Sequence, residues 1–136
     1  MAEFETSLGV SEDSLESEYR AKEQRLLGDL ESLVGLLLRF REERWAAVFS
    51  AQRRDLDDAV RGNTGRKRKA AIAQAIRALF VAPRPFGDLI IHPLNGHDVG
   101  SGEISRTNRR LDALRNSVYA LAWLYDDRRF CLCDLA

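Results

Sequence analysis

Cysteine is scarce in this chain: Cys131 and Cys133 are the only two, so no disulfide framework staples the fold. With one residue between them, a bond joining the pair would strain the backbone. No histidine and asparagine surround them as a nucleophile's partners, and they read as small apolar side chains in a tail. Long apolar runs are also missing. The longest candidate, Leu33 to Phe40, falls far short of the roughly 20 residues a membrane span requires. The opening MAEFETSLGV lacks the basic and apolar regions of a secretory leader. A protein of the reducing cytoplasm, with no membrane partner, is the expectation. Nor is there a G-x-S-x-G, a P-loop, a dinucleotide fingerprint or a kinase signature. The adjacent carboxylates Asp57-Asp58 and Asp126-Asp127 point to different sides of a helix and make poor acid–base pairs. No catalytic residue, no metal and no cofactor is assigned, and a non-enzymatic role is expected.

What the chain does have is helical period. Its 136 residues are 45% apolar and 31% charged, the composition of a single globular domain with its own core. Leu26, Leu30, Leu33, Leu37 and Phe40 recur at alternating spacings of four and three, one apolar stripe on a helix that starts near Ser11. Trp45, Phe49, Gln52, Leu56 and Val60 form a second stripe, separated from the first by a bend over 41–44. Gly62 and Asn63 close that helix, since both tolerate a left-handed residue past a helix end. Ile72, Ile76, Leu79 and Phe80 mark a third helix, stopped by Pro83 and Pro85,. Leu111, Leu114, Val118, Leu121 and Tyr125 mark a fourth, with Trp123 off the line at a rim. Gly28 and Gly35 lie inside the first helix, where close approach of a neighbouring helix explains them and chance does equally. The fold class is mainly α: a four-helix, bundle-like single domain. Its limits are a loose arm over 1–10, the helical domain over 11–126 and a tail over 127–136.

Zero net charge hides a gradient. Residues 1–31 carry nine acids against three bases, and residues 32–83 carry eleven bases against five acids. Opposite blocks in one small fold can pair with each other or face partners. Arg66, Lys67, Arg68 and Lys69 form the densest basic cluster, an electrostatic footprint for phosphates. The helix that follows has few polar side chains to read base edges. A nucleic-acid-associated role is therefore the alternative reading, not the leading one.

Between the third and fourth helices lies PFGDLIIHPLNGHDVG, residues 85–100, too long for a simple bundle connection. Leu89-Ile90-Ile91 has strand character and Asn95-Gly96 is a hairpin signal. A short β-hairpin or extended arm is expected, docked as a cover over one end of the bundle. Asp88, His92, His97 and Asp98 are the residue types that ligate zinc. The spacing is unspecific, and a metal-dependent hydrolase is the least favoured alternative.

Several segments together carry a family likeness. They are Leu30-x-x-Leu33-Val34-x-Leu36-Leu37, Arg44-Trp45-Ala46-Ala47-Val48-Phe49, Phe86-Gly87-Asp88-Leu89-Ile90-Ile91, Asn95-Gly96-His97 and Asn108-x-x-Leu111-x-x-Leu114-Arg115. Over about residues 26–125 this resembles a group of small bacterial helical domains of unknown function, in the style of immunity proteins. The departure is the basic Gly62–Lys69 region, which lengthens the link before the Phe-Gly turn. The resemblance implies a protein that binds a partner, a secreted toxin domain being the concrete case, and it implies no catalytic residues. Contact residues expected for such a partner are Trp123, Arg109, Arg110, His92, His97 and Asp98, since aromatic and arginine side chains dominate binding hot spots.

Overall fold

The computed structural model describes residues 12–62, 64–81 and 86–130. Four helices follow in order: α1 Glu12–Arg39, α2 Glu43–Arg61, α3 Arg66–Ala78 and α4 Ile104–Leu121. There is no strand among the described residues; one-turn 3-10 helices occupy Phe86–Asp88, Pro93–Asn95, Leu124–Asp126 and Arg128–Phe130. The mainly α, bundle-like class is what the periodicity predicts.

Each apolar stripe becomes a buried face. Leu26, Leu30, Leu33 and Leu37 of α1 are fully buried, as are Phe49 and Leu56 of α2 and Leu111 and Val118 of α4. Such side chains contribute about 1.5–3 kcal/mol each when removed from water. α1 packs on α2 and α4, α2 packs on α3, and α3 leans on the 3-10 turn that follows α4. The bend after α1 is a left-handed cap. Arg41 has φ 60°, its N–H donates to Leu38 O at 3.1 Å, and Glu42 N–H donates to Leu37 O at 2.8 Å. That is the hydrogen-bond pattern glycine usually supports at a helix end, here made by an arginine.

The segment after α3 differs from a hairpin. Gly96 takes the left-handed conformation, φ 83°, but Asn95 closes a 3-10 turn that begins at Pro93 and is capped by His92. Both central residues of the hairpin turn would need positive φ, so the strands never face each other. The arm alternative is the one realised. Its backbone groups are satisfied by side chains instead. Asn108 holds Ile91 from both sides: its Oδ1 accepts from Ile91 N–H at 2.8 Å and its Nδ2 donates to Ile91 O at 2.8 Å. Buried Arg115 donates to Phe86 O at 3.0 Å and Leu89 O at 2.7 Å, and its other amino group pairs with Asp112. Phe86 lies at the centre of an aromatic cluster, 4.9 Å from Trp45, 4.7 Å from Phe49 and 5.6 Å from Phe80 between ring centroids. The arm thus covers one end of the bundle, pinned by α4 and seated on α2.

Three further expectations need correcting. Gly28 and Gly35 are exposed, and a methyl group added at either would meet nothing within 4 Å, so no helix approaches them. Gly62 has φ −77° and ends α2 without a left-handed residue; Asn63 lies outside the described residues. Of the tail expected over 127–136, the described residues 127–130 pack on the fold: Phe130 is fully buried and its ring lies 5.7 Å from that of Tyr19. The arm over 1–10, the cap at Ser11, the stop at Pro83 and Pro85, and Cys131 and Cys133 lie outside the described residues.

Candidate functional site

The site grows from the two sides of α4. One side is core: Leu111, Leu114, Arg115, Val118 and Leu121 are buried. The opposite side carries Arg106, Arg109, Ala113, Asn116 and Ala120, all exposed, and the same helical spacing brings in Trp123 just past the helix end. Trp123 keeps 47% of its surface open, which places a large aromatic in solvent where burial is the norm. It is nevertheless held. The Arg77 guanidinium, from the last turn of α3, lies 3.8 Å from the Trp123 ring centroid. Arg77 in turn donates to Ala122 O at 2.6 Å and pairs with Asp126 at 3.1 Å. Tyr119 packs edge-on to both neighbours, 6.4 Å from Trp123 and 5.5 Å from Phe80. Phe80 reaches the core rings of Phe49 at 6.0 Å and Phe86 at 5.6 Å. A continuous row of rings therefore runs from the interior to the surface. Cation–π and edge-to-face contacts of this kind are each worth about 0.5–1.5 kcal/mol. An aromatic anchored this way loses little freedom when a partner covers it.

Arg109 and Arg110 share this face and make no ion pair with a described residue, while their neighbours Arg106 and Arg115 pair with Glu103 and Asp112. Arg109 and Arg110 thus stand on the first half of α4, and Trp123 stands just past its far end. The other three expected contact residues are elsewhere. Asp98 is exposed in the arm. His97 is buried, with its Nε2 2.6 Å from Glu42 Oε1 and its Nδ1 3.0 Å from His92 N. The same Nδ1 lies 3.2 Å from His92 O, so the ring sits between the arm's backbone and the Glu42 carboxylate. His92 uses its own Nδ1 to accept from Leu94 N–H at 3.0 Å. Both imidazoles serve the arm's backbone, because a turn closed by Pro93 leaves amides that require acceptors. As contact residues for a partner, His97 is therefore corrected to a structural role, and His92 caps a turn. Among the described residues no group of three or more histidine, cysteine, aspartate or glutamate side chains is arranged to hold a metal ion.

The basic cluster also divides. Lys67 and Arg68 are exposed. Arg66 reaches across to the segment after α4 and donates to Tyr125 O and Asp127 O, both at 2.6 Å. Lys69 is 2% exposed and forms an ion pair with Glu23 at 3.1 Å. Tyr125 donates to the same Glu23 carboxylate at 2.7 Å, and the Tyr19 and Tyr125 rings flank the ammonium at 5.6 and 5.8 Å. Two of the four cations thus bind the protein to itself. Close by, the Arg129 guanidinium hydrogen-bonds Asp127 and holds its carboxyl below the ordinary value, with burial opposing the shift.

Reasoning from sequence missed Glu23, Arg77, Arg115 and Asn108. A signal for the first was present. Tyr19 and Glu23 precede Leu26 at spacings of four and three, so they continue the leucine stripe, and Lys69 stands on the line of Ala73 and Ile76. Arg77, Arg115 and Asn108 carry no such mark, since their partners are backbone carbonyls and a ring distant in sequence. No protein-family model, curated protein or solved structure matches the chain.

Proposed function

We propose that this chain is a protein-binding domain of immunity type, which neutralises a cognate bacterial toxin domain in the cytoplasm by covering its active site. The observation that carries the reading is Trp123: a half-exposed indole just past the end of α4, backed by Arg77 and Tyr119. Aromatic and arginine side chains in one preformed patch are the usual composition of a binding hot spot. Arg109 and Arg110 of α4, without an ion pair among the described residues, add positive charge that steers an acidic partner surface toward this side. The chain supplies shape and charge, and bond-making chemistry belongs to the partner.

The test is inhibition of the toxin domain encoded beside this chain. Stoichiometric addition abolishes the toxin's activity, and Trp123→Ala weakens binding by about 10- to 100-fold while the helical circular dichroism stays unchanged. Full toxin activity at saturating concentrations of the folded chain sinks the reading.

A further inference from the structure

The end of the bundle where α1 turns into α2 gathers arginines without an ion pair among the described residues. We propose that this end is a docking surface for a carboxylate-rich segment of a partner protein. Arg39, Arg41 and Arg44 of the α1–α2 bend hold it together with Arg109 and Arg110 of α4. This rests on the reading of the chain as a protein-binding domain and names the chemistry of what it binds.

Packing brings the two groups to one end. α1 and α4 run antiparallel: the Tyr125 hydroxyl donates to Glu23 at 2.7 Å, and Ser117 donates to Asp29, farther along α1, at 2.5 Å. At about 1.5 Å per residue, Arg39 lies about 15 Å along α1 from that second contact and Arg109 about 12 Å along α4 in the same direction. The arm closes the gap between them. Asn108 holds Ile91 at 2.8 Å, and His97 meets Glu42 at 2.6 Å, so Arg109 and Arg41 each adjoin a residue that the arm touches. All five arginines are exposed, and none pairs with a described carboxylate. Neighbouring acids are occupied: Glu42 by His97, Glu103 by Arg106 and Asp112 by Arg115. Arg39 is steadied over the Phe40 ring, 5.4 Å from its centroid.

Arg41 adds an observation of a different kind. Its φ is 60°, in the left-handed region where a residue with a Cβ is strained and glycine is not. A positive charge beside a helix C-terminus is favourable, but by less than the left-handed conformation costs. The fold alone is therefore served as well by glycine, and the arginine is placed for a contact outside it. Guanidinium groups bind carboxylates and phosphates alike through paired N–H donors. The remaining acids decide between the two. Glu43 and Asp98 are exposed at the same end. A phosphate backbone carries charge without interruption and is repelled there, whereas a peptide sets neutral side chains opposite them.

Fluorescence anisotropy of the full chain tests this with two labelled probes, a short peptide alternating glutamate and serine and a single-stranded DNA of equal charge. The peptide is expected to bind at least about 10-fold more tightly than the DNA. Arg41→Glu combined with Arg44→Glu is expected to weaken the peptide at least about 10-fold. Lys67→Glu combined with Arg68→Glu, on the turn of α3 that meets Glu23 at the other end, changes it by less than about 2-fold because salt screens charge over that distance. Arg41→Gly removes the side chain and relieves the backbone, so the melting temperature is no lower while the peptide weakens about 3-fold. A chain that does not bind the peptide overturns the proposal, as does equal binding by the Arg41 and Arg44 reversal. So do an equal loss in the Lys67 and Arg68 reversal, DNA bound as tightly as the peptide, or an Arg41→Gly chain that melts lower. Toxin left active by a chain that binds the peptide as expected overturns only the immunity reading. Toxin inhibited by a chain that does not bind the peptide overturns only this assignment.

Discussion

Glu23 and Lys69 set the terms at the scale of single residues. They are ionic side chains on apolar stripes, 1% and 2% exposed, and a buried charge is tolerated only when it is paired and hydrogen-bonded. The pairing joins the middle of α1 to α3, and the Tyr125 hydroxyl ties in the segment after α4. Removing one partner strands the other charge in the interior. Lys69→Met is therefore expected to cost about 3–5 kcal/mol, measured by urea unfolding. Glu23→Leu combined with Lys69→Met removes both charges and is expected to recover at least half of that loss. Equal destabilisation by the single and double variants would show that packing, not charge, governs the site. Exposed pairs such as Arg20–Glu16 at 3.2 Å behave differently, since water already screens them and each contributes under about 1 kcal/mol.

Elements show where local preference and tertiary context part. Gly35 lies in the interior of α1 with open space around its missing side chain, so nothing tertiary requires it. Glycine in such a position destabilises a helix by about 0.5–1 kcal/mol relative to alanine. Gly35→Ala is expected to stabilise the chain by that amount, read as a higher urea midpoint with unchanged slope. A loss of stability would reveal a contact on this face of α1. The same helix shows what was legible beforehand. Apolar spacing located α1, α2 and α4 because burial repeats with the helical turn, although in α2 only Phe49 and Leu56 of the stripe are fully buried. The arm over 86–97 was harder. Its fold depends on Asn108 and Arg115 reaching backbone groups 17 to 29 positions away, and no local pattern encodes such a reach. Asn95-Gly96 did signal a turn, but Pro93 and the His92 cap selected a 3-10 turn over a hairpin. The docking face was half legible: Trp123 stood out as an aromatic off the core line, whereas its support by Arg77 required α3 and α4 to be placed side by side.

The whole molecule is closed by contact between α1 and the segment after α4. The acidic first helix meets basic residues of later segments, through Lys69–Glu23 at 3.1 Å, Arg53–Glu31 at 3.5 Å and Arg129–Glu18 at 4.0 Å. The charge gradient along the sequence is thus partly neutralised inside one fold. The same region joins α1 to the segment after α4 sterically, as Tyr19 packs edge-on to Tyr125 at 6.0 Å and against Phe130 at 5.7 Å. Leu124, Tyr125 and Phe130 are all buried. Together their burial is worth about 5–9 kcal/mol at 1.5–3 kcal/mol per large side chain, comparable to the whole stability of a domain this size. The same segment supplies the Tyr125 and Asp127 carbonyls that accept from Arg66 and the Glu23 carboxylate's hydroxyl donor. A chain ending at Trp123 is therefore expected to lose cooperative thermal unfolding, although all four helices remain in its sequence. Phe130→Ala in the full chain removes one ring only and is expected to cost about 3–5 kcal/mol while keeping a single transition. A shortened chain that still melts cooperatively would mean that the helices close on themselves, and that the Tyr19–Tyr125–Phe130 contact follows the fold without holding it.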